Sequence, residues 1–323
     1  MNILFIDYHL KNSLYKERFI LKTFKILAFD GGGIKGALSV EILNRICSKY
    51  PNFLDEVDLF TGTSTGSIIA SLLAKEVSIN EISNLYSNPT AKKIFSPSHF
   101  NLFRPKFNNI NLKNIISNYF DDNLKVGDLK KFIFIPAFHV KGLNKNTWEP
   151  IFFNNLSKNP TCDFSVKDTI LSSSAAPTYF PSYKGFVDGG VIANSPTAIS
   201  LLAALAALGP SYSLEQIRLL SIGTGDSPER INGKTEKWGI LQWSFHPLAK
   251  MKSPLLALLM DGMSDLEDMY CKEILKSKYF RINPKVSKFI EMDDYKFIPY
   301  LKLVANTYDL SSLYNYIESI YLK

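Results

Sequence analysis

The chain is poor in the residues that build metal centres and disulfide frameworks. Its 323 residues include three cysteines and four histidines. Cys47, Cys162 and Cys271 are odd in number and scattered, with no Cys-x-x-Cys pair. That spacing argues against a disulfide scaffold or a cysteine-based zinc site and predicts reduced thiols. No stretch approaches the ~18 apolar residues needed to span a bilayer. The longest, 198–208, stops at Gly209-Pro210. Residues 1–22 mix Asp7, Glu17 and several lysines into their apolar positions, so they lack the continuous apolar core of a secretory signal. Lysines are spread along the chain and no nucleic-acid-binding signature occurs. The net charge of +7 therefore points to an anionic membrane surface rather than to nucleic acid. No internal repeat, low-complexity tract or linker divides the sequence. What remains is globular composition, 46% hydrophobic and 21% charged, long enough for a large core. A cytoplasmic protein that meets membranes only at their surface is expected.

Among what is present, Gly62-Thr63-Ser64-Thr65-Gly66 spells Gly-x-Ser-x-Gly between an apolar run at 57–60 and a helix-like run at 67–73. A serine at a sharp strand-to-helix turn has its hydroxyl pushed clear of the backbone, and the flanking glycines let the turn close. The helix start behind it aims free N–H groups and the positive end of its dipole at one point, which favours a developing anion. A Gly/Ser/Thr-rich loop without chemistry can spell the same residues. The deciding question is whether the chain also supplies an oxyanion hole and a base.

An earlier segment offers the first. The apolar run 24–29 leads into Asp30-Gly31-Gly32-Gly33-Ile34-Lys35-Gly36, after which apolar residues recur at helical spacing through Ile46. Gly31, Gly33 and Gly36 also fit the dinucleotide-binding fingerprint, but that pattern requires an acidic residue at the end of the next strand. Here Asp55 and Glu56 precede the next apolar run. No Gly-Lys-Ser/Thr follows, so a phosphate-binding P-loop is excluded. Consecutive glycines that turn their N–H groups toward one point form an oxyanion hole, the favoured assignment; a nucleotide loop and a plain turn are the alternatives.

The later elements alternate. Helical patterns are expected at 80–86, 110–120, 166–171 and 198–208, and strands at 132–140, 148–153 and 217–222. Residues 87–104, polar and broken by prolines, are expected to run over the surface. Such alternation implies a largely parallel sheet covered on both faces. His139, inside a strand, is expected to be structural. Asp188-Gly189-Gly190 follows a short apolar strand, where an ordinary β-turn is the plain alternative to an exposed functional aspartate. Near the C-terminus, Trp238, Trp243 and residues 255–260 are interleaved with Lys237, Lys250 and Lys252. A core-packed helix is favoured there over a membrane-facing one.

Three pieces now stand in order: Asp30 to Gly36, Gly62 to Gly66 and Asp188-Gly189-Gly190. With 173–180, Asn194-Ser195-Pro196, 220–225 and Met260-Asp261-Gly262, this order resembles the patatin-like phospholipases. The resemblance implies a three-layer α/β/α fold with a largely parallel central sheet, related to cytosolic phospholipase A2 catalytic domains. It also implies phospholipase A or lysophospholipase chemistry on carboxylic esters, through a Ser–Asp dyad and an acyl-enzyme, with neither metal nor cofactor. Carried onto this sequence, Ser64 is the nucleophile, Asp188 the base, and Gly31, Gly32 and Gly33 the oxyanion loop. Gly36, Gly62, Gly66, Gly189 and Gly190 complete the motifs. Lys35 stands where arginine is commoner in the family, and the two differ at bidentate contacts. An unperturbed carboxylate is a weak base, so Asp188 needs burial to raise its pKa. The rival is a triad completed by His246; His9 and His99 lie in no motif. Residues 1–23 are expected to form an extension and 24–323 one catalytic domain, with a motif block at about 25–201. The expected substrate is a phospholipid or related acyl lipid, met at a membrane surface. A regulated, for example nucleotide-activated, effector and a non-catalytic lipid-binding scaffold are the alternatives.

Overall fold

Every residue of strand β1 (Phe24–Phe29) is buried. A strand covered on both faces belongs inside a sheet flanked by helices on each side, and β1 lies there in a computed structural model of the chain. The structure describes residues 22–99, 103–143, 146–210, 212–226, 231, 234–244 and 253–323. Most of the expected N-terminal extension, and His246, lie outside the described residues.

From β1 the chain enters α1 (Gly36–Lys49), returns as β2 (Leu59–Gly62) and turns into α2 (Thr65–Ala74). Helices α3 (Ile79–Leu85), α4 (Asn88–Ile94) and α5 (Ile110–Ser117) lead to β3 (Phe132–His139) and β4 (Glu149–Asn154). Next come α6 (Val166–Ser173), β5 (Phe186–Asp188), α7 (Gly190–Ala193), α8 (Thr197–Leu208) and β6 (Ile217–Ile222). The chain continues through α9 (Ile240–Ser244), α10 (Pro254–Leu275), β7 (Tyr279–Ile282), α11 (Ile298–Thr307) and α12 (Ser311–Tyr316), which runs into a π-helical turn at Ile317–Tyr321. Ser78 and Ser165 start α3 and α6 by accepting the N–H groups of Glu81 and Asp168, which satisfies donors that a helix start leaves open.

The sheet order is β4-β3-β2-β1-β6-β7, with β5 also paired to β3. Strands β3, β2, β1, β6 and β7 run parallel, whereas β4 and β5 are antiparallel to β3. Along β1 the side chains alternate between two cores, as the strand period of two requires. Leu27 and Phe29 pack with α1, α2, α11 and α12, through Leu38, Ile69, Leu301 and Leu313. Phe24, Ile26 and Ala28 pack with α8 and α10, through Leu201 and Leu275. The result is the expected α/β/α sandwich. Each fully buried Leu, Ile or Phe contributes about 1.5–3 kcal/mol to it.

Two expectations need correction. Residues 87–99 are not simply a surface connection: they contain α4, and Ala91 is buried while Ile94 and Phe95 pack on the core. Its proline falls in the first helical turn, where a missing N–H costs nothing, so the residue marks a helix start and not a loop. Residues 255–260 do form a helix, but not a core-packed one. Leu255, Leu258 and Leu259 are 45%, 51% and 46% exposed, and only Met260 is buried in that stretch beyond Pro254. Strand β7 has no counterpart among the sequence expectations.

The change of partner along β3 sets the site. Its first residues pair with β2, Leu59 opposite Phe132 and Thr61 opposite Phe134. Its last residues pair with β5, Ala137 opposite Asp188 and His139 opposite Phe186. Strands β2 and β5 thus approach each other end to end along one edge of β3, and meet near Pro136.

Candidate active site

Ser64 follows the end of β2 and caps α2, with φ 53° and ψ −119°. That backbone is in the left-handed half of the map, where a non-glycine residue stores roughly 1–3 kcal/mol of strain. Surrounding bonds hold it there. Ser64 N–H donates to Ser173 Oγ at 3.1 Å, and Ser173 Oγ donates to the Pro136 carbonyl at 2.7 Å. The Ser64 carbonyl accepts from Ser67 Oγ at 2.6 Å and Ser174 Oγ at 3.3 Å. The flanking glycines are needed for room: a Cβ on Gly62 would lie 2.1 Å from the Gly66 carbonyl oxygen, and one on Gly66 2.4 Å from that of Phe29. Gly36 lets α1 approach α2, since a Cβ there would lie 2.5 Å from Thr65 Oγ1.

Asp188 ends β5 with 1% of its surface exposed. The Asp-Gly-Gly segment is not a β-turn, because Gly189 already has helical dihedrals and α7 begins at Gly190. A Cβ on Gly189 would lie 2.2 Å from the Pro136 carbonyl oxygen, so this glycine lets β5 close onto β3. Asp188 Oδ1 accepts the Gly190 N–H at 2.7 Å. Burial pushes the carboxyl pKa up to about 7, against opposing hydrogen bonds from the Gly190 N–H and the Ser64 hydroxyl. The Ser64 contact is a loose one: Oδ2 makes no hydrogen bond of ordinary geometry among the described residues. Such bonds are commonly long before substrate arrives.

The glycine loop also adjoins Ser64: a Cβ on Gly31 would lie 3.5 Å from Ser64 Cβ. Gly32 and Gly33 have φ 153° and 60°, values that L side chains rarely adopt. Neither of their N–H groups has a partner among the described residues, whereas the Gly31 N–H donates to the Asn194 carbonyl at 2.9 Å. The Gly31 N–H is thus already occupied, while those of Gly32 and Gly33 are left open among the described residues. The loop is anchored by a pair that sequence reasoning missed: Arg281 on β7 donates to both Asp30 oxygens, at 3.2 and 2.5 Å. Burial alone would lower the Arg281 pKa, but the Asp30 charge and hydrogen bonds more than offset it and the net shift is upward. Arg281→Met strands a buried carboxylate and is expected to cost about 3–5 kcal/mol, read as a lowered urea midpoint. The double variant Asp30→Asn/Arg281→Met is expected to recover much of that loss.

Two cavities flank the loop. One reaches Ser64 and is walled by apolar residues including Ile68, Leu85, Phe95, Ile115 and Phe180. The other is lined by polar groups including Asp30, Lys35, Asn194, Arg281 and Asn283. Tyr179 and Met292 line both.

Comparison with known proteins gives this geometry a family. The model of a patatin-like phospholipase matches residues 27–201, from β1 through the start of α8. The chain belongs to the patatin-like phospholipase family. It is 32% identical to protein teg of Priestia megaterium, over 91% of this chain and 98% of that one. CotR of Bacillus subtilis is 29% identical over 91% of this chain and 97% of its own. A cGAMP-activated phospholipase of Escherichia coli is 32% identical over 67% of this chain and 69% of its own. The family motifs converge in space: Ser64, Asp188 and Gly31 to Gly33 form one cluster, and Asn194 adjoins it.

His139 stands outside that cluster. It is buried in β3, accepts the Lys141 N–H at 3.3 Å and meets Phe186 edge-on at 4.5 Å, as a structural histidine does. Cys47, Cys162 and Cys271 are free thiols. Among the described residues no cluster of three or more His, Cys, Asp or Glu could hold a metal ion, and no helix is long and apolar enough to cross a membrane.

Proposed function

We propose that the protein hydrolyses carboxylic esters of phospholipids or related acyl lipids through an acyl-enzyme on Ser64. The observation that carries this reading is the Asp188 carboxyl buried beside Ser64 with a pKa near 7, where a carboxylate becomes a competent base. Asp188 takes the Ser64 proton as Oγ attacks the ester carbonyl. The Gly32 and Gly33 N–H groups, with the α2 dipole, stabilise the oxyanion, each donor at a scale of ~3–4 kcal/mol. The apolar cavity takes the acyl chain, and the polar one faces the leaving group. Exposed Ile240, Leu241, Leu255, Leu258 and Leu259 support contact with a membrane surface.

The test is fatty-acid release from a panel of phospholipid vesicles, followed by mass spectrometry. Absence of release from every lipid and lysolipid would sink the reading. Because Asp188 must be ionised to act, kcat/KM is expected to rise with pH and level off, with a midpoint near 7. A midpoint near 4 would mean that the base is not this buried carboxyl. The similarity to a cGAMP-activated phospholipase favours a second reading, in which a cyclic dinucleotide switches activity on. Adding cGAMP to the same assay separates the two.

A further inference from the structure

Asn194 touches the site but has no part in the dyad. Its carbonyl accepts the Gly31 N–H at 2.9 Å, and its Nδ2 donates to Ser264 Oγ at 3.0 Å. Ser264 Oγ in turn donates to the Met260 carbonyl at 3.2 Å. With its single proton committed, Ser264 can only accept from Asn194, which fixes the amide with its nitrogen on Ser264 and its oxygen on the other side. That oxygen, Oδ1, has no hydrogen-bond partner among the described residues, although only 7% of Asn194 is exposed. A buried acceptor left unpaired costs ~1–3 kcal/mol, so its orientation needs a cause.

Its position supplies one. A Cβ on Gly31 would lie 2.3 Å from Asn194 Oδ1 and 3.5 Å from Ser64 Cβ. A Cβ on Gly190 would lie 3.4 Å from Asn194 Oδ1 and 3.1 Å from Asp188 Oδ1. The amide oxygen thus lies against Gly31 and Gly190, the two glycines that also border Ser64 and the Asp188 carboxyl. Asp188 Oδ2 is another buried acceptor without a full hydrogen bond. Two such acceptors beside one serine suit a small molecule with two hydrogens to donate.

Building on the Ser64–Asp188 dyad proposed above, we propose that Asn194 Oδ1 positions the water that deacylates Ser64. The water directs one O–H to Asp188 Oδ2 and the other to Asn194 Oδ1, which leaves a lone pair for the acyl carbon. As the new C–O bond forms, Asp188 takes the first proton. The tetrahedral intermediate then collapses, the bond from the acyl carbon to Ser64 Oγ breaks, and Asp188 passes that proton to Oγ. The second hydrogen leaves on the fatty acid. Acylation makes no use of this contact, because the departing alcohol carries a single O–H and a carbon in place of the other. Asn194 therefore selects water over alcohols as acyl acceptor.

The experiment compares wild type with Asn194→Ala and the size-matched Asn194→Leu on a p-nitrophenyl acyl ester, with and without methanol. Three quantities are read: the p-nitrophenol burst, the ratio of methyl ester to fatty acid, and the rate at which a fluorophosphonate labels Ser64. The variants are expected to keep labelling Ser64, at a rate that falls far less than deacylation does, which reports a folded, acylation-competent site. Deacylation is expected to slow by roughly 10²-fold, the scale of one lost preorganised hydrogen bond, so a burst appears and the methyl ester share rises. If labelling and turnover fall together, with no burst and an unchanged product ratio, Asn194 only packs the loop and the proposal is overturned. A wild type that neither labels at Ser64 nor turns over removes the dyad first and this role with it, so the two failures are distinguishable.

Discussion

Ser64→Ala is expected to lower fatty-acid release by on the order of 10⁶-fold, the loss seen when a serine protease gives up its nucleophile. The substitution removes Oγ and little else. The bonds that hold the turn use the Ser64 backbone: its N–H to Ser173, and its carbonyl to Ser67 and Ser174. Alanine meets the left-handed dihedrals with the same Cβ as serine, so the strain is unchanged and the fold is expected to persist. A matched pair of urea unfolding curves checks that. Lipid turnover and mass-spectrometric mapping of a fluorophosphonate adduct check the chemistry. Retained turnover above about 1% of wild type, with an intact unfolding curve, would assign the attack to another group.

The sequence carried the strand, glycine loop and helix at 24–49, because a buried strand and an amphipathic helix each leave a local periodicity. It also carried Ser64 and Asp188 as separate motifs. It carried no sign of how they meet. That depends on β3 changing partner from β2 to β5, and β5 is three residues long, too short for any period to register. Arg281 is 251 positions from Asp30, and nothing around either residue announces the pair. The exposed side of α10 was hidden for a related reason: an apolar run looks the same whether it faces a core or faces outward. Asn194 was visible only as part of a motif. Its unpaired oxygen is a property of three elements packed together, and local sequence does not encode it.

Asp188→Asn is expected to make the protein inactive and, above neutral pH, more stable. Activity falls by roughly 10⁴-fold or more, because an amide accepts no proton from Ser64. Stability moves the other way. The folded-state pKa is about 7 against about 3.8 for an unperturbed aspartate, so the folded form holds a proton that the unfolded chain releases. The Asp188 contribution to wild-type stability is therefore full below about pH 4, is lost as pH rises through 4 to 7, and stays absent above that window. Some three units at 1.36 kcal/mol each put the decline at about 4 kcal/mol. Asparagine keeps an oxygen for the Gly190 N–H and carries no charge to bury, so it escapes the decline. Urea unfolding of both proteins at pH 4.5, 6 and 8 is expected to show a gap that opens with pH in favour of the variant. A gap independent of pH would mean that Asp188 is not held near neutrality by burial, and the mechanism would lose its base. A gap that opens as expected while turnover disappears would mean that the fold tolerates an unstable carboxylate at this position because the reaction uses it.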